Sequence, residues 1–115
     1  MNEEIKKIWV KALKSGKYKQ GKGKLSHAGR YCCLGVLCSI YAREKKIKLP
    51  NVINSVGSCA NKVLPLDVEY WASCASDPSL IYNGLDFYIS SLNDGTKSRN
   101  SLNFNQIADL IKQQL

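Results

Sequence analysis

Cys32-Cys33-Leu34-Gly35-Val36-Leu37-Cys38-Ser39-Ile40-Tyr41-Ala42 is the stretch that decides how this chain folds. Cys33, Leu34, Leu37, Ile40 and Tyr41 recur at helical spacing, and apolar residues occupy nearly every side of the cylinder they describe. A helix that is apolar all round belongs in an interior, so residues 32–43 are expected to form a central, buried helix. Gly35 within it points to a neighbouring backbone that passes close by, because glycine otherwise weakens a helix.

The flanking segments supply what packs on it. From Glu3 to Ser15, Ile5, Ile8, Trp9, Ala12 and Leu13 share one helical face. Acids come first, lysines follow, and Gly16 is placed to stop the helix. In Lys17–Arg30 (KYKQGKGKLSHAGR) three glycines forbid a helix and Ser26–Gly29 reads as a turn, so a short irregular β-hairpin is expected.

Residues 44–63 read as a charged turn and loop, with weak strand potential near Val52–Val56. Pro65 suits the first turn of a helix carrying Leu64, Val68, Trp71 and Ala75. Leu80–Tyr82 reads as a short strand, and Leu85–Leu92 as a helix, against the β preference of Phe87-Tyr88-Ile89. The last helix is the best marked: Asn103 caps it, Gln106 completes the capping box, and Leu102 and Ile107 fit the staple. Phe104, Ile107, Ala108, Ile111 and Leu115 form its apolar stripe. The expectation is one α+β domain over residues 1–115: about four helices around a buried central helix, with a short β-hairpin or sheet.

With 44% apolar and 23% charged residues in 115, the chain can bury a genuine core. No apolar run approaches the ~20 residues of a membrane span. The N-terminal MNEEIKKIWVKALK lacks the apolar region and cleavage site of a secretory signal, so a cytoplasmic location without membrane contact is expected. Five cysteines (Cys32, Cys33, Cys38, Cys59 and Cys74) are an odd set, three of them on or beside the apolar helix. Buried, reduced thiols are expected rather than a disulfide framework.

Charge is lopsided. Residues 1–48 hold 13 Lys or Arg against three acids; residues 49–115 hold four against six. Such asymmetry points to an anionic partner for the first half, set against a merely solvated face.

The chemistry narrows by elimination. His27 is the only histidine, there is no C-x-x-C pair, and Cys33 and Cys38 do not share a helical face, so neither metal nor cofactor is expected. Cys32 or Cys33 near a helix N-terminus, with His27 close in sequence, would suit a thiol nucleophile. Their apolar surroundings favour core packing instead. Asp86 and Asp94 are the acids in aromatic or glycine-rich context, and Asn93-Asp94-Gly95 reads as an ordinary turn and helix stop. No catalytic residue is expected.

Phosphate handling remains. Gly16-Lys17-Tyr18-Lys19-Gln20-Gly21-Lys22-Gly23-Lys24 alternates glycine, lysine and one aromatic ring. Glycines let backbone N–H groups approach an anion, lysines neutralise phosphate, and Tyr18 offers a stacking face. Gln20 suits a base edge. Arg30 and Tyr31 precede a helix N-terminus, itself an anion site. The spacing is not that of a Walker A loop.

Taken together, Trp9-x-x-Ala-Leu-x-Ser-Gly-x-Tyr-x-Gln-Gly, Cys32-Cys-Leu-Gly-Val-Leu, Leu64-Pro with Trp71, Leu92-Asn-Asp-Gly and Phe104-x-x-Ile-Ala-Asp-x-Ile resemble a small family encoded by bacteriophages, across nearly the whole chain. Small phage accessory proteins often act in counter-defence. One class consists of oligomeric sponges that hold cyclic nucleotide immune signals without cleaving them. The resemblance implies a nucleotide-binding homo-oligomer. Lys17, Lys19, Lys22, Lys24 and Arg30 would hold phosphates, Tyr18 and Tyr31 would stack, and Gln20 and Asn93 would read polar edges. The rival readings are a nucleic-acid- or host-protein-binding inhibitor and, behind it, a cysteine-dependent nucleotide hydrolase.

Overall fold

A computed structural model describes residues 1–53 and 62–115; Cys59 and residues 54–56 of the expected weak strand lie outside the described residues. Helix α1 (Glu3–Lys14) starts at Asn2, whose Oδ1 accepts from Ile5 N–H at 3.0 Å. Ile5, Trp9 and Leu13 form its buried edge. Trp9 is wholly buried, and its Nε1–H donates to the Cys33 carbonyl at 2.9 Å. A ring that needs apolar walls and one acceptor finds both there, and the bond ties α1 to the first turn of α2 (Cys33–Lys45).

The central position of α2 is as expected. Cys33, Leu34, Gly35, Val36, Leu37, Cys38, Ile40 and Ala42 are buried. The helix packs on α1, on α3 (Leu49–Ile53), on α4 (Leu66–Ala72) and on α5 (Ile89–Asp94). The Gly35 expectation also holds. A Cβ there would lie 2.6 Å from the Leu25 carbonyl carbon and nearer still to its oxygen. Helix α6 (Phe104–Gln114) closes the core against α1. Its capping box is complete: Asn103 Oδ1 accepts from Gln106 N–H, and Gln106 Oε1 from Asn103 N–H, each at 2.9 Å.

The β structure departs from expectation. Within the expected hairpin of residues 17–30, only its last part turns back on itself: β2 (Ser26–His27) pairs with β3 (Arg30–Tyr31) around Ala28 and Gly29, both at positive φ. Strand β1 (Lys19–Gln20) pairs with β3 in parallel, giving the order β1-β3-β2. Parallel pairing needs a longer connection than a hairpin. The chain makes it through residues 21–29, β2 included, sinking Leu25 into the core on the way.

Residues 85–92 correct the expectation of one helix. Leu85–Tyr88 is strand β5, antiparallel to β4 (Ser79–Tyr82), and only Ile89–Asp94 is helical. The β preference of Phe87 and Tyr88 prevails because Asn83-Gly84, at φ 54° and 79°, makes the tight turn that returns the chain onto β4. Val52 and Ile53 are likewise helical rather than extended, and Pro65 stands as the cap of α4 rather than inside it. The result is an α+β domain with more, shorter helices than expected. Among the described residues no helix is long and apolar enough to cross a membrane.

Candidate functional site

Asn93, expected to read a ligand, is spent on the fold, and so is the amide nitrogen of Gln20. Asn93 sits on α5 and is wholly buried. Its Oδ1 accepts from Gln20 Nε2 at 3.0 Å and from Cys33 N–H at 3.1 Å. Its Nδ2 donates to the Gly21 carbonyl at 2.8 Å and to Asp94 Oδ1 at 2.9 Å. An asparagine amide has two donors and two acceptor lone pairs, so Asn93 is saturated by protein. Gln20 Nε2 also donates to the Leu102 carbonyl at 2.9 Å, filling both its N–H groups. Three sequence motifs (Gln20-Gly21, Cys32-Cys33 and Asn93-Asp94) thus meet at one amide.

The first turn of α2 is closed in the same way. Cys33 N–H is held by Asn93, and Gly35 N–H donates to Cys32 Sγ at 3.4 Å. Those donors, expected to face an anion, are used internally.

The remaining candidates fall into three places. In the first sheet, Lys19 and Arg30 are register partners, and His27 is opposite Arg30 on the other side. All three are exposed, making a basic row across the strands. Lys19 and Arg30, like charges directly opposite one another, repel, so an anion laid between them would be stabilising. Arg30 also donates to the Gln20 carbonyl at 3.3 Å. Tyr31 points the other way, half-buried, and meets Tyr18 edge to face at 5.1 Å.

The second place is a groove of about 350 Å³ between α1 and α2, lined by Ile8, Lys11, Ala12, Ser15, Lys17, Tyr18 and Arg43. Lys17 and Tyr18 were expected here; Lys11, Ser15 and Arg43 were not. Nothing in the spacing of residues 11, 17 and 43 links them. They meet because the Trp9–Cys33 bond holds α1 beside α2. Among the described residues the ion pairs are Lys6–Glu3, Lys7–Glu4 and Lys14–Asp109, so Lys11, Lys17 and Arg43 stand outside every one of them. The Tyr18 hydroxyl is bonded to Ser39 Oγ at 3.1 Å, which fixes the ring at the groove wall.

The third place is a cavity of about 310 Å³ that receives Lys24 and Gly23, with Cys32, Lys62, Val63, Asp77, Ser90 and Asp94. Lys22 is exposed and lines neither space.

Cys32, Cys33, Cys38 and Cys74 are free and buried. Burial pushes the Cys32 and Cys74 thiols up to about 11 and Cys38 to about 12, and raises Cys33 well above its usual value. Protonated thiols are poor nucleophiles, and the helix N-terminus does not offset the loss of solvent. In an unfolded chain these groups ionise near 9.0, whereas the folded chain keeps its protons to about 11. Their contribution to stability is complete below pH 9 and is lost as pH rises toward 11. Urea midpoints under reducing conditions should fall across that interval, and Cys38→Ala should make the fall shallower.

No curated protein and no solved structure matches this chain. One family model does, over residues 1–115. The chain belongs to the family described as a domain of unknown function, DUF8296.

Proposed function

We propose that this protein binds a nucleotide, cyclic or linear, and sequesters it without cleaving it. The observation that carries the reading is the groove between α1 and α2, where Lys11, Lys17 and Arg43 surround a space walled by Tyr18 and floored by Ile8 and Ala12. Cations free of internal partners neutralise phosphate, an aromatic edge and apolar floor receive a base or sugar, and Ser15 adds a hydroxyl. Lys19 and Arg30 extend the positive field along the neighbouring sheet. Sequestration requires affinity alone, and the protonated, buried thiols suit that reading better than thiol chemistry. Because its motifs resemble those of a bacteriophage-encoded family, we propose an immune signal as the ligand, held in the cytoplasm of an infected cell by a homo-oligomer.

The test is incubation with a panel of cyclic and linear nucleotides, followed by denaturation and chromatography. Intact ligand released on denaturation is the expected result. Altered ligand would mean catalysis, and no bound ligand would overturn the reading. Lys11→Ala with Arg43→Ala should weaken binding roughly 100-fold or more, the loss of two charge-assisted contacts. The melting temperature should barely move, since these exposed cations contribute little to stability.

A second reading has its own observation. Lys6, Lys7, Lys11, Lys14 and Lys112 border a shallow cleft along α1 and α6, a strip suited to an extended polyanion such as nucleic acid. Binding there would weaken steeply with salt, in proportion to the phosphates neutralised, whereas a single nucleotide would show a modest slope.

A further inference from the structure

We infer that the cavity beside the N-terminus of α2 is a separate site for a small zwitterion of the α-amino-acid class. Lys24 and Lys62 lie on its wall with Asp77 and Asp94, two charges of each sign. Among the described residues none of these four is in an ion pair, so opposite charges share one space without neutralising one another. The carboxylates are held in place by their neighbours. Asp77 accepts from Ser90 N–H at 3.0 Å and Ser90 Oγ–H at 2.6 Å, and Asp94 accepts from the buried Asn93 amide.

Each carboxylate oxygen carries more than one lone pair, so both acids keep acceptor capacity toward the cavity. A ligand that brings an ammonium to the acids and a carboxylate to the lysines satisfies both walls at once. A purely anionic ligand would meet repulsion from Asp77 and Asp94. The volume, about 310 Å³, is at the small end for ligand pockets and fits a metabolite of amino-acid size. This site is distinct from the nucleotide groove, with which it shares no lining residue.

The experiment is a ¹⁵N-resolved NMR titration of the full chain with each common L-amino acid in turn, followed by the nucleotide panel. At least one amino acid should shift the Gly23, Ser90 and Asp94 amides saturably while leaving Ser15 and Tyr18 unmoved. Lys24→Ala and Asp94→Asn should each weaken that binding roughly 10- to 100-fold, the range for one charge-assisted hydrogen bond. Lys24 is exposed, so its variant reports binding even if Asp94→Asn disturbs α5. Lys11→Ala should leave it unchanged, so that failure of this site and failure of the groove are separately visible. Shifts that never saturate, or saturation unaffected by either cavity variant, would overturn the inference. So would saturation of the same amides by a nucleotide, which would transfer the cavity to that class.

Discussion

Replacing Asn93 by leucine should lower the melting temperature by roughly 10–20 °C, corresponding to about 3–5 kcal/mol in a domain of this size. The side chains are similar in volume, so the loss is one of hydrogen bonds rather than packing. Cys33 N–H, the Gly21 carbonyl and one Gln20 N–H would all lose their partner. Cys33 is wholly buried, and water cannot replace what leucine withholds without entering the core. An orphaned buried polar group costs about 1–3 kcal/mol, and here three arise together.

Asn93→Asp makes a sharper test. The new carboxylate would still accept from Gln20 and Cys33 but could not donate to Gly21 unless protonated, and it would adjoin Asp94. Burial and that neighbour raise its folded-state pKa, so this variant should be more stable in acid than at neutral pH. Thermal melts of both variants at two pH values decide the matter. A leucine variant that melts like the parent yet no longer holds a nucleotide would return Asn93 to the binding site and remove it from the architecture.

The sequence made the helices legible wherever periodicity and caps agreed. Trp9 and Leu13 on α1, the all-round apolar α2, and the Asn103–Gln106 box on α6 each carry a signal within one or two turns of chain. The β segments were harder because their decisive signals are dihedral rather than periodic. Asn83-Gly84 marks a two-residue turn, but strands of four residues give too short an alternation to outweigh a helical pattern of Leu85, Tyr88, Ile89 and Leu92. Pairing of β1 with β3 in parallel depends on Leu25 finding a place beneath Gly35, a contact that no local rule encodes.

The site was legible in part for the same reason. Lys17 and Tyr18 stand in the groove, but Lys11 and Arg43 join them only through the packing of two helices. Asn93 and Gln20 drew attention as polar residues in glycine-rich context, and such residues serve equally well to tie a strand and two helices together. Polarity alone does not distinguish a group that reads a ligand from one that reads its own backbone.

Gly35→Ala should be about as damaging as Asn93→Leu, for a steric reason. Its Cβ would press on the Leu25 carbonyl group, with the Leu25 Cα at 3.2 Å also inside comfortable range. None of these atoms belongs to a flexible side chain. Leu25 is wholly buried and joins the connection between β1 and β2, while Cys32 N–H donates to the same Leu25 carbonyl at 3.3 Å. Moving that carbonyl aside therefore weakens a hydrogen bond at the start of α2 and lifts a leucine out of the core. Alanine's better helix propensity returns only about 1 kcal/mol. Overpacking of a well-filled interior costs about 1–3 kcal/mol when side chains can yield, and more when backbone must. A net loss of about 3 kcal/mol or more is expected, measured by urea unfolding. Gly23→Ala is the contrasting control. Nothing stands within 4 Å of a Cβ there, but φ is +80°, so only the local cost of a left-handed alanine, about 1–2 kcal/mol, should appear. If the two variants unfold at the same urea concentration, contact between α2 and the Leu25 backbone is not what sets the position of the central helix.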